Sequence, residues 1–275
     1  MISKRKKIAL ITGIAVITVM VVFPFVWMII LSFKTNTEIM TDPLALPQIF
    51  NVDNYKRAFE VLDYGKLYGN TIFVCLCSIV IELVITFFSS FVIARLHFNE
   101  KIRNMLYGFL ILGLSISPFI LLFPVYKINT IFGFRGRLAL VLPYVATSIS
   151  FNTLLLVAYL KNLPTEIDEA AIVDGCNIWQ LMRRVILPMT KPVIATVVIF
   201  NVLYIWNEYP FASVMLRNVN DYTLSMGASF FKGKYTVDYG GIIASSVMII
   251  IPELIFYGIF QKNIVEGMTA GAVKG

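Results

Sequence analysis

Residues 8–33 read IALITGIAVITVMVVFPFVWMIILSF, an apolar stretch without a single charge. It is long enough to cross a hydrocarbon layer that takes about 20 helical residues. Five comparable stretches follow, at 71–94, 105–126, 138–160, 193–216 and 242–260, and the acids inside them are Glu82, Glu208 and Glu253. Apolarity alone, 58% of the 275 residues against 14% charged, does not separate a membrane protein from a large soluble core. Run length does. A water-soluble chain has no use for six such runs at this spacing. The sequence therefore predicts an all-α, polytopic membrane protein with six transmembrane helices, one transmembrane domain over residues 1–275.

Lys4-Arg5-Lys6-Lys7 ahead of the first stretch invites comparison with a secretory leader. The apolar run exceeds the roughly 7–15 residues of a leader core, and no small-x-small cleavage site follows it. It reads as an uncleaved first span. Positive residues stay on the cytoplasmic side, and an even number of spans then puts both termini there. On this topology Arg95, Lys101 and Arg103 fall inside as the rule wants, but Lys127, Arg135 and Arg137 fall outside. The net charge of +7 is mostly juxtamembrane, and no basic stripe points to a nucleic acid partner. Cys75, Cys77 and Cys176 make no disulfide framework. Residues two apart on a helix face different directions, and Cys176 falls on the reducing side.

The connections 34–69, 127–137 and 217–240 are extracytoplasmic, and residues 54–62 within the first have helical spacing. The connection 161–192 differs in kind: it holds four acidic and four basic groups beside enough apolar positions to pack. Pro164-Thr165-Glu166-Ile167-Asp168 reads as a helix start, with Thr165 as cap and the acids at the positive end of the dipole. Gly175 is placed to end that helix in a left-handed residue. Asn177-Ile178-Trp179-Gln180 reads as a second start, Gln180 lying three residues after a capping Asn177. Pro188 and Pro192 break this second helix before the fifth span. The expected element is a helix–turn–helix on the cytoplasmic face, protruding enough for another protein to grip.

Glu169-Ala170-Ala171, then Asp174-Gly175, then nine residues to Val185-x-Leu187-Pro188 fit the pattern EAA-x3-G-x9-[I/V]-x-L-P at every position. This loop resembles the EAA loop of binding-protein-dependent ABC importer permeases. A bare EAA would mean little; the full spacing between the fourth and fifth spans is specific. Trp206-Asn207-Glu208-Tyr209 is similar to a stretch of the maltose-type carbohydrate branch. So are Asp238-Tyr239-Gly240, Pro252, Gln261 and the tail from Gly267 to Gly275. Two departures are Tyr239, where that branch usually has Trp, and Glu253, where it is usually apolar.

The resemblance implies the type I ABC importer permease fold, in a bacterial cell membrane, and a chain with no ATPase of its own. It implies no catalytic residue, no cofactor and no metal. Its partners would be a second homologous permease subunit, a dimer of ATPase subunits, an extracellular sugar-binding protein and the surrounding lipid. Coupling to the ATPase would fall to Glu169, Ala170, Ala171, Asp174, Gly175, Leu187 and Pro188. The small residues Ala170, Ala171 and Gly175 would let a short helix settle into a cleft of the ATPase, and Glu169 would offer a charge. In maltose-type permeases the corresponding half sends its tail to the ATPase pair, which assigns that contact to Gly271, Ala272, Val273, Lys274 and Gly275. A decoy is set aside: from Gly227 to Gly233-Lys234 the spacing is one residue too long for a P-loop, and Tyr235 replaces Ser or Thr.

Acids within spans are costly in lipid and belong in a bundle interior or a wet cavity. Tyr204, Trp206, Asn207 and Glu208 are the candidates for the translocation path or gate, against the plainer reading of packing aromatics and a structural hydrogen bond. Glu82 and Glu253 have no assigned role. His97 has no second ligand nearby, and neither a G-x-S-x-G nor an H-E-x-x-H pattern occurs. The expected function is the permease half of an ATP-driven sugar importer. The alternatives are a secondary transporter or channel working without an ATPase, which calls for midplane charge pairs in two related halves, and a membrane-anchored assembly protein.

Overall fold

The computed structural model describes residues 4–233 and 237–272, with side chains through Lys262. Lys234 of the decoy and Val273, Lys274 and Gly275 of the tail lie outside the described residues, and only the backbone of Gly271 and Ala272 is described. In chain order the helices are α1 (Lys4–Leu31), α2 (Asn36–Thr41), α3 (Asp53–Val61), α4 (Tyr64–Arg95), α5 (Glu100–Leu112) and α6 (Pro118–Phe132). Then come α7 (Val141–Asn162), α8 (Glu166–Val173), α9 (Ile178–Gln180), α10 (Leu187–Met189), α11 (Lys191–Asn207), α12 (Pro210–Met215) and α13 (Tyr239–Ala272). The fold is all-α, with no strand among the described residues.

Among the described residues four helices are long and apolar enough to cross a membrane, and two bent pairs bring the number to six if each pair is one span. The third apolar run, 105–126, falls across the first bend, where Glu100–Ser115 and Pro118–Phe132 meet at 103°. Two local causes produce it. Pro118 opens α6, a first-turn position that needs no N–H. Gly113 lies so close to Ser150 Oγ of α7 that a Cβ there would overlap it. The second bend, 69°, separates Ile178–Met189 from Lys191–Asn207.

Contacts divide the chain into two compact units, Met1–Tyr64 with Gly227–Pro252 and Gly65–Met226 with Glu253–Gly275. In the first, α1 buries none of its residues. It is apolar on every side, as a helix surrounded by hydrocarbon must be. The connection that follows it, 34–69, is held by polar contacts. Lys34, 1% exposed, donates to the carbonyls of Asp42 at 2.6 Å and Ala45 at 2.9 Å. Asn54, which opens the helical run expected at 54–62, donates to the carbonyls of Ser32 and Lys34, each at 2.8 Å. Asp238 accepts the Gly241 N–H at 3.0 Å, which caps α13, and pairs with Arg57 at 3.3 Å. The aspartate of the Asp238-Tyr239-Gly240 stretch is thus a helix cap tied to α3.

The second unit is built on α4, α7, α11 and α12. Lipid is as apolar as leucine, so helices associate there by packing and polar contacts rather than by hydrophobic expulsion. Val74, Cys75 and Ile79 of α4 meet Tyr144, Ile205, Phe211 and Met215 in one cluster. Asn201 donates to Asn152 Oδ1 at 3.0 Å, joining α11 to α7. Ser78, Glu82, Thr86 and Ser90 recur one turn apart on α4, and each is fully buried. Glu82 on this polar stripe stands opposite Ser148 and Asn152, which gives the acid its place in the bundle interior. Arg137 donates to Asn70 at 2.9 Å and lies over the Phe73 ring at 4.5 Å.

Candidate functional site

The helix–turn–helix expected at 161–192 forms. Its first helix, α8, carries Glu166, Asp168 and Glu169 in the opening turn, complementing the dipole. Thr165 occupies the capping position, but its side chain makes no capping bond. The other end follows the sequence reading closely. Gly175 takes φ 83°, its N–H bonds the Ile172 carbonyl at 2.9 Å, and the Cys176 N–H bonds that of Ala171 at 2.9 Å. This is the six-to-one and five-to-two pairing of a Schellman stop. Two residues later Asn177 and Gln180 cap each other reciprocally, both bonds at 2.9 Å.

The second helix widens to a π-helix over Leu181–Ile186, with the Leu187 N–H reaching back to Met182. Pro188 accounts for it: the ring has no N–H and crowds the carbonyl four residues back, so the preceding turn takes in an extra residue. The widened turn aims Leu181, Met182 and Ile186 at Phe87 and Phe91 of α4.

The loop has two faces, and exposure sorts the predicted residues between them. Glu169, Ala170, Asp174, Gly175, Leu187 and Pro188 are exposed. Ala171 is 7% exposed and packs on the chain's own core with Leu160 and Leu181. Its small side chain lets α8 lie close on its own spans at this point. On α8 the large apolar residues turned outward are Ile172 at 61% and Val173 at 86%, which the sequence reading did not single out.

The fifth apolar run also breaks. α11 stops at Asn207, Glu208 is extended, and α12 restarts at Pro210. Glu208, 6% exposed, accepts from Phe211 N at 2.7 Å, Ala212 N at 3.2 Å and Tyr144 Oη at 2.6 Å. Its carboxylate therefore caps a broken span and anchors it to α7. Tyr204 stands edge-on to Tyr144 at 6.1 Å, and Trp206 lies 5.8 Å from Tyr68. Asn207 is exposed and donates to Glu253 Oε1 at 2.6 Å. Thus Glu253 has an amide partner 46 positions away, which no local pattern announces. Among the described residues no group of three or more His, Cys, Asp or Glu is placed to hold a metal.

Long apolar helices, a buried polar stripe and a helical hairpin between α7 and α11 define a multi-pass membrane permease. The chain belongs to the family of binding-protein-dependent transport system inner membrane components, whose pattern matches residues 86–269. It is 33% identical to a putative ABC transporter permease protein, ORF2, of Caldicellulosiruptor sp. (strain Rt8B.4), over 95% of each chain. It is 29% identical to the diacetylchitobiose uptake system permease protein NgcG of Streptomyces coelicolor, over 94% of this chain and 85% of that one. It is likewise 29% identical to the trehalose/maltose transport system permease protein MalG of Thermococcus litoralis, over 98% of each. Among solved structures, a chain of a bacterial ABC transporter involved in import of the acidic polysaccharide alginate shares the fold. Its TM-score is 0.79 at 20% identity, over 95% of this chain and 98% of that one.

Proposed function

We propose that this chain is one permease half of an ATP-driven importer for a sugar or oligosaccharide. The observation that carries the reading is the loop 161–192: a helical hairpin with stops and caps at the motif positions, seated on its own spans through Ala171 and turning Val173 outward, 86% exposed. Two of the named relatives, the diacetylchitobiose uptake system permease and the trehalose/maltose transport system permease, support the sugar class. A separate ATPase subunit grips the outward face of α8, a second permease completes the path, and an extracellular binding protein delivers the sugar to the outer connections. Both termini lie in the cytoplasm. Single cysteines on a cysteine-free background test the sidedness. Val219→Cys, at a position 57% exposed in the native chain, is expected to react with an impermeant maleimide on intact cells. Val173→Cys is expected to react only after permeabilisation, and the reverse pattern would invert the topology.

The tail residues Gly271, Ala272, Val273, Lys274 and Gly275 belong to the same reading, as a contact with the ATPase pair. Deleting residues 269–275 is expected to impair ATP-coupled uptake without lowering the amount of chain in the membrane. Uptake at the full rate by the truncated chain would reduce the tail to a solvated end. Tyr204, Trp206, Asn207 and Glu208 stay with the translocation path in this reading. Asn207, exposed and paired with Glu253, is the best placed of them to meet a hydroxylated substrate.

A further inference from the structure

We propose that Arg95 and Asp168 form a strut that carries displacement of α8 into the second span, α4, a role that rests on the loop's being the coupling element. The chain leads from α8 directly into α7 on one side and, through the second loop helix, into α11 on the other. Those spans follow the loop by covalent connection. α4 is tied to it through space alone. Part of the tie is apolar: Trp179 stacks on Phe88 at 5.9 Å, and Phe87 and Phe91 meet Ala171, Leu181 and Met182. Apolar faces hold helices together but resist sliding weakly, whereas an ion pair is directional.

Arg95 ends α4, and its Nη1 lies 3.3 Å from Asp168 Oδ2, with the two side chains 2% and 15% exposed. Each sits at the favourable end of its helix dipole, the cation in a last turn and the anion in a first turn. Arg95 Nε and Nη2 and Asp168 Oδ1 are buried without a hydrogen-bond partner among the described residues, so this one contact carries the pair. The pair borders a cleft of about 380 Å³ lined also by His97, Arg103 and Glu169. Burial raises the Asp168 carboxyl above its ordinary range; Arg95 and His97 pull it down and Glu169 pushes it up. Desolvation thus outweighs the attraction at this carboxyl, as it can in buried pairs. What remains is geometric: a fixed distance between the end of α4 and the start of α8.

The test uses the complete importer purified with its ATPase, free of native cysteines and spin-labelled through cysteines at Val92 and Glu166, with ATP and vanadate as the only probes. In the parent and in Arg95→Lys the 92–166 distance is expected to stay constant between the nucleotide-free and trapped states. In Arg95→Ala and in Asp168→Asn it is expected to shift on trapping by on the order of 5 Å, one helical turn. An unchanged distance in both variants overturns the strut. Should Arg95→Ala fail to insert, the isosteric Asp168→Asn decides alone. Failure of the coupling reading looks different: Val173→Asp would then still hold the ATPase subunit, whatever the 92–166 distances.

Discussion

Gly175→Val is expected to abolish ATP-coupled uptake, or to lose the ATPase subunit on purification, while the chain still inserts at its normal level. The cause is backbone conformation. At φ 83° a β-carbon crowds its own carbonyl, yet one placed there would meet nothing else within 4 Å. The direct cost is about 1–2 kcal/mol, more for a β-branched side chain. The stop bonds through Gly175 and Cys176 set where the chain turns from α8 into the second helix. Relieving the strain redirects α8, and with it the outward face carrying Ile172 and Val173. Gly175→Asn, tolerated in left-handed conformations, is expected to keep much of the activity. Uptake measured beside membrane protein level checks both, and wild-type uptake in Gly175→Val would remove the loop from the coupling path.

The largest effect on stability is expected at Glu208. Glu208→Leu leaves three buried donors, the N–H groups of Phe211 and Ala212 and the Tyr144 hydroxyl, without the carboxylate they share. Each unmade buried bond costs about 1–3 kcal/mol, so the sum is several kcal/mol even after relaxation. Glu208→Gln keeps one acceptor oxygen but turns an amide N–H toward donors, and is expected to fall between. The native thiols supply the measurement. Cys75 is 7% exposed and reacts with a fluorogenic maleimide as the bundle opens. The opening temperature is expected to rank wild type, Glu208→Gln, Glu208→Leu from highest to lowest. Equal temperatures would mean that the break in the fifth span does not depend on this cap.

Much of the molecule was legible in the residues themselves because the physics behind those features is local. Apolar run length is set by bilayer thickness, so six candidate runs could be marked, of which four are single long helices among the described residues and two fall on bent pairs. The Asn177–Gln180 box and the left-handed Gly175 depend on neighbours three to five residues away, and the structure has both. The buried stripe Ser78, Glu82, Thr86 and Ser90, polar at every fourth position of one helix, was a local signal that the sequence reading did not take up.

What the tertiary structure alone decided concerns direction and distant partners. Hydropathy counts residues without regard to axis, so the 103° bend inside the third run left no trace in it; Ser150, from another helix, stands against Gly113 there. Glu208 as a cap needed Tyr144, Glu253 needed Asn207, and Arg137 needed Asn70 and Phe73. Ala171 faces inward and Val173 outward because Phe87 and Phe91 already lie on one side of α8. Spacing along a helix says which residues share a face. Only the packed neighbours say which way that face points, because its energy is set by groups far away in the chain.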